Sequence, residues 1–149
     1  MKVRYLFDSH ALLAFFQKED GAQVVAEILG KAISQDIERL VCAINVGEMV
    51  YLTKRRFGDQ MKLHLLAKLQ QLGFQILPVP DSLVYQAAEI KADYPLSYAD
   101  CFALACAINN SAILVQVILS SKGYLIWPKF SGYGIFEIGY FPGWHRPIS

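Results

Sequence analysis

The sequence predicts an α/β fold: a central, mostly parallel sheet of four to five strands flanked by helices, with an irregular C-terminal tail. Three observations carry this expectation. Short apolar runs alternate with longer amphipathic stretches over residues 1–115, and such alternation needs crossover connections that make neighbouring strands parallel. The chain has 149 residues, 54 % hydrophobic and 18 % charged, which excludes disorder of the polar, highly charged kind and allows one domain with a real core. The character then changes near residue 116. Residues 123–149 hold 8 of the 19 aromatic residues and 5 of the 10 glycines, with neither a helical nor a sustained two-residue period.

The elements follow in order. Val3 to Phe7 is a short apolar run and reads as a strand. Residues 9–17 and 20–35 read as helices, with Val24, Val25, Ile28, Leu29 and Ala32 on one face of the second. Arg39 to Ile44 is the second strand, and Asn45 is a plausible N-cap for a helix from Val46 to about Phe57. A helix from about Asp59 to Gln71 is stopped by Gly73. Phe74 to Val79 is the third strand, closed by Pro78 and Pro80. Asp81 can cap a helix to about Ala92, and Ser97 one to about Asn109. Ala112 to Val115 is the fourth strand.

Composition excludes several function classes. The formal net charge is +1, so no global basic field marks a nucleic-acid binder. A protein handling phosphates needs a local basic patch or a metal instead. The longest apolar run, Ala112 to Leu119, is broken by Gln116 and is far short of the roughly 18–20 residues of a membrane span. Asp8 and His10 interrupt any signal-peptide core, so the chain reads as cytoplasmic. Cys42, Cys101 and Cys106 are odd in number with no framework spacing, as in reduced, buried thiols. His10, His64 and His145 are scattered and no CxxC occurs, which argues against a zinc site.

In open α/β sheets ligands sit beyond the carboxyl ends of the strands. Asp8 follows the first strand, Glu48 falls in the expected first turn after the second, and Asp100 in the first turn of the helix before the fourth. Each has a plainer reading. Asp8 can cap a helix, while Glu48 and Asp100 each stand three residues after a capping candidate, Asn45 and Ser97. Together at one sheet edge they favour a cation. Two carboxylates about 4 Å apart repel by roughly 4 kcal/mol at an effective dielectric near 20, so converging acids need a metal or raised pKa values.

The segments YLFDSHALLAFF, INVGEMVYLTKRRFG and YPLSYADCFALACAINNSAILV resemble the PIN domain, and more narrowly the VapC-type toxins of toxin–antitoxin pairs. The resemblance covers residues 1–115. It implies a PIN-like fold and a Mg²⁺- or Mn²⁺-dependent endoribonuclease, with Asp8, Glu48 and Asp100 as the acidic catalytic and metal site. It also implies an RNA substrate, a cognate antitoxin and a homodimer. Ser9 stands where the family often has a small hydroxyl residue, and a helix-starting serine is an equal reading. Arg55 and Arg56, with Lys54, follow Glu48 on one helix and are candidates for the RNA backbone. A solvated helix end that complements the dipole is the plainer reading. Tyr51 and Tyr98 either pack in the core, the favoured reading, or line the groove, and Cys101 and Cys106 are expected as core.

The chain departs from the family after AILV. A Thr-Gly-Asp-like motif with a fourth polar or acidic group is expected there, and Gln116, Val117, Ile118 and Leu119 stand in its place. A single-base deletion near codon 115 accounts for this. Codons permitted for the residues from Gln116 onward read, one base earlier, as TGDPEFKR and then as an amphipathic helix and a final strand. The expected organisation is therefore an incomplete PIN-like domain over 1–115 and a frameshifted aromatic and glycine-rich tail over 116–149. The alternative to an active enzyme is a catalytically disabled PIN-domain remnant that acts only by binding. A phosphatase with Asp8 as nucleophile is disfavoured, because His10 stands where a second aspartate is expected.

Overall fold

The computed structural model describes residues 2–19, 21–34, 36–120 and 123–127. The elements run β1 (Val3–Phe7), α1 (Ser9–Gln17), α2 (Ala22–Ser34), β2 (Ile37–Cys42), α3 (Ala43–Phe57), α4 (Asp59–Gln71), β3 (Gln75–Leu77), α5 (Asp81–Asp93), α6 (Tyr98–Asn109), β4 (Ile113–Ser120) and β5 (Gly123–Trp127). The sheet order is β3-β2-β1-β4-β5. The first four strands are mutually parallel, and β5 is antiparallel to β4. The α/β expectation is therefore met, with β1 in the middle of the sheet.

Strand alternation divides the core. Phe7, Val41 and Val115 face one side, where Leu12, Val25, Met49 and Leu69 of α1–α4 cover them. Leu6, Leu40 and Leu114 face the other, against Leu83, Ala87 and the Phe102–Ala107 stretch of α5 and α6. Both faces of the parallel sheet are thus covered by helices, as its backbone and apolar runs require. Phe7 is fully buried and meets Phe74 edge-to-face with ring centroids 5.2 Å apart. Burial of each such side chain stabilises by about 1.5–3 kcal/mol.

Some boundaries differ from expectation. β2 is Ile37–Cys42, two residues earlier than Arg39 to Ile44, and α3 starts at Ala43 with Cys42 as its N-cap. Asn45 is therefore no cap. It is wholly buried inside the helix, and its Nδ2 donates to the Ala99 carbonyl of α6 at 3.3 Å. A tertiary contact has taken the side chain that local sequence assigned to capping. Asp81 likewise lies inside the first turn of α5, with Pro80 as N-cap. Ser97 does cap α6, its Oγ accepting from the Asp100 amide at 3.1 Å. Gly73 ends α4 with φ +73°, a left-handed conformation that favours glycine, as anticipated.

β4 continues past Val115 to Ser120, and its backbone pairs with β5 through Leu114–Trp127, Val115–Ile126 and Gln116–Leu125. The first part of the expected tail is thus a hairpin. Residues 121, 122 and 128–149, the rest of that tail, lie outside the described residues.

Candidate active site

Asp8 sits at the carboxyl end of the central strand and is wholly buried. Its amide donates to the Val115 carbonyl at 3.1 Å, carrying the β1–β4 pairing one residue past the strand. Its Oδ1 accepts from the Ala11 amide at 2.7 Å and caps α1. Sheet and helix therefore fix this carboxylate from two sides. The positive end of the α1 dipole adds a favourable field.

Ser9 begins α1 and is buried, and its hydroxyl donates to Glu48 Oε1. This bond ties the end of β1 to α3. Glu48 is half-buried and lies in the second turn of α3, because the helix starts earlier than expected. The helix dipole therefore favours the Asp100 carboxylate, in the first turn of α6, more than that of Glu48. Asp100 is half-buried in the first turn of α6, its amide held by Ser97.

The link between Glu48 and Asp100 runs through Asn45. It lies one turn before Glu48, and it bonds to the residue that precedes Asp100. Asn45 Oδ1 is buried and has no hydrogen-bond partner among the described residues. Sequence reasoning missed this role, although a polar residue three positions before Glu48 on the same helix face was a readable signal. The structure thus ties Ser9, next to Asp8, to Glu48, and ties Asn45, on the same helix as Glu48, to Ala99, next to Asp100. Among the described residues no three carboxylate, imidazole or thiol groups form a ready-made metal cage.

The basic residues on α3 are not equivalent. Lys54 is 3.2 Å from Asp59 on α4. Arg56 is 3.0 Å from Glu19 and also donates to Gln17 at 3.0 Å. Arg55 has no ion pair among the described residues, and its guanidinium lies 5.4 Å from the centroid of the Tyr51 ring. A cavity of about 240 Å³ lies between α1 and α3, lined by His10, Gln17, Glu19, Leu52, Arg55 and Arg56 among others. None of the three carboxylates lines it. Tyr51 and Tyr98 are 48 % and 45 % exposed, so neither is a core residue as expected.

The three thiols are packing groups, the hydrogen bond with Cys106 holding Cys42 below its ordinary range. Cys42, Cys101 and Cys106 are free and buried. The hydrogen bond with Cys42, and burial, push the Cys106 thiol above its ordinary range. Burial also raises Cys101. These groups pack the interface between β2 and α6, as the sequence suggested.

The PIN domain family model matches residues 5–117. This chain belongs to the PIN domain family. No curated protein matches it significantly. Among solved structures, this PIN domain is similar to Mycobacterium tuberculosis VapC20, a sarcin–ricin loop cleaving toxin, with a TM-score of 0.59 and 18 % identity over 72 % of this chain and 84 % of that one. It is similar to a toxin–antitoxin complex from Klebsiella pneumoniae, with a TM-score of 0.58 and 18 % identity over 97 % of this chain and 98 % of that one. It is also similar to VapBC2 from Rickettsia felis bound to a DNA fragment from its promoter, with a TM-score of 0.60 and 15 % identity over 78 % of this chain and 89 % of that one.

The fold these structures share puts the PIN-domain expectation on firm ground at the level of architecture. One position stands apart. Gln116, buried and next after Val115, occupies the place where a fourth polar or acidic group was expected to begin. It is neutral and adds no charge to the acidic edge. Among the described residues no helix is long and apolar enough to cross a membrane.

Proposed function

We propose that this PIN domain is a divalent-metal-dependent endoribonuclease of a toxin–antitoxin pair, acting on RNA at Asp8, Glu48 and Asp100. The observation that carries this reading is the Asp8–Ser9–Glu48 linkage at the end of the central strand. Family membership and the toxins among the similar structures support it. The donor set is three carboxylates, hard oxygen ligands of the kind that Mg²⁺ or Mn²⁺ takes. Mg²⁺ keeps several waters and needs only one or two protein carboxylates, so a tight three-residue cage is not a requirement. Asp8, Glu48 and Asp100 would hold the ion. When bound, such an ion activates water and stabilises charge on the phosphorus transition state.

The chain's own residues do the positioning. Asp8 is held through its backbone by the sheet and through its side chain by the Ala11 amide. Ser9 orients Glu48, and Asn45 sets the α3–α6 spacing between Glu48 and Asp100. Arg55 supplies positive charge for the RNA backbone, while Arg56 is committed to Glu19. The partners in this reading are an RNA substrate, a cognate antitoxin and a second copy of the chain, in the cytoplasm. The family-matched part of the chain ends at residue 117, and in this reading a single-base deletion near codon 115 produced the sequence that follows. Sequencing source DNA across codons 110–140 tests that last point: an extra base near codon 115 is expected, and bases that cannot encode TGDPEF in the alternative frame refute it.

Gln116 favours a second reading, in which the missing acid leaves a domain that binds and does not cut. One experiment separates the two. A labelled RNA is incubated with the protein in Mg²⁺, Mn²⁺ or EDTA, beside Asp8→Asn and Asp100→Asn. Metal-dependent cleavage is expected, and each variant should lose more than the roughly 10–100-fold that outer-shell substitutions at metal sites cost. Cleavage that persists in both variants removes the site assignment. RNA binding without cleavage by the unaltered chain establishes the remnant.

A further inference from the structure

We propose that Tyr51 and Arg55 form a stacking platform for an unpaired RNA base beside the acidic edge. The proposal rests on the nuclease reading for its substrate class, and on separate observations for its geometry. Tyr51 and Arg55 stand three and seven residues after Glu48 on α3, so all three share one helix face. At 1.5 Å per residue, Arg55 is about 10 Å along the helix from Glu48. Tyr51 is 48 % exposed. The Arg55 guanidinium lies over its ring, 5.4 Å from the centroid.

The neighbouring charges sharpen the point. Lys54 and Arg56 are taken up by Asp59 and Glu19. Arg55 alone of the three has no carboxylate among the described residues. Tyr51 is half-exposed and is capped by a cation that has no acidic partner among the described residues. Proteins that recognise single-stranded RNA stack bases on aromatic rings and on guanidinium planes. A ring already paired with a guanidinium offers both kinds of surface, and the positive charge draws the adjoining phosphate. Such a platform selects unpaired nucleotides, because a base inside a duplex has no free face to give it.

Tyr85 provides the control. It is 69 % exposed on α5 and has no cation over its ring among the described residues. The test uses a short single-stranded RNA carrying 2-aminopurine, with EDTA present so that no cleavage intervenes. Binding should quench the 2-aminopurine emission, and a duplex of the same sequence should not be quenched. Tyr51→Phe should bind within about twofold of the unaltered chain. Tyr51→Leu should bind roughly 5- to 150-fold more weakly, the range that one base–aromatic stack spans, and should lose the quench. Tyr85→Leu should change neither.

If Tyr51→Leu binds and quenches like the unaltered chain, the platform is overturned, and Mg²⁺-dependent cleavage by the unaltered chain then leaves the nuclease reading standing. If the unaltered chain binds and quenches through Tyr51 but never cleaves, the platform stands and the nuclease reading falls. If it neither binds nor cleaves RNA, both fall. Melting temperatures of the variants close to that of the unaltered chain exclude loss of fold, which is the expected result for a half-exposed residue.

Discussion

The cap on α6 yields a quantitative expectation. Ser97 is exposed, and its hydroxyl oxygen accepts from the Asp100 amide at 3.1 Å. Replacement by alanine removes that acceptor and leaves the amide to water. The cost for such a change is about 1 kcal/mol, within a range of roughly 0.5–2. For a domain of this length that corresponds to a melting shift of about 2–4 °C. Ser97→Gly should cost only a few tenths of a kcal/mol, and Ser97→Asp should be near neutral. Urea unfolding of the three variants, with m-values compared, measures the order directly. The same amide belongs to Asp100, so under the proposed nuclease function Ser97→Ala should cleave RNA more slowly, with Ser97→Asp restoring the rate. An alanine variant as stable as the unaltered chain, or a glycine variant no better than alanine, refutes the capping argument. Full cleavage in a destabilised alanine variant refutes the link from cap to Asp100.

Further outcomes follow from the packing and the charges. Phe7→Ala empties a fully buried position against Phe74 and should cost about 3–5 kcal/mol in urea unfolding. Asp59 is held below the usual carboxylate range by hydrogen bonds from Lys62 and Lys54 and by their charges. Its depressed pKa makes its stabilising contribution present above about pH 4, the unfolded value, and lost as pH falls through the folded value. Melting curves of the unaltered chain and Asp59→Asn at low salt should therefore differ slightly near pH 6 and converge in strong acid. A gap that persists there contradicts the assignment.

The sheet was legible because β1, β2 and β4 are short apolar runs whose alternate residues divide cleanly between two helical layers. Leu6 and Phe7 illustrate it, facing opposite cores. The acids were legible because Asp8 follows an unmistakable strand and Asp100 follows a Ser97 cap. Asn45 was misread because capping is a local rule, and its side chain answers instead to Ala99, far away in sequence. Glu48 shifted from first to second turn for the same reason. Tyr51 was misread because a tyrosine at helical spacing fits a core stripe equally well, and only the packed structure tells which face is covered. The hairpin of β4 and β5 escaped because its pattern carries no clear two-residue period, while its pairing is a backbone matter.

The position of β1 has a consequence for the order of events during synthesis. Its neighbours are β2 on one side and β4 on the other. Tyr5–Phe7 must therefore wait for Ile113–Val115 to be made before the sheet closes. Pairings of such wide sequence separation are the slow ones in folding. At about 5–20 residues per second, the interval between Asp8 and Asp100 leaving the ribosome is on the order of ten seconds. A half-made chain holds Asp8 and Glu48 without Asp100. The acidic edge is thus completed late, when most of the domain has already been made.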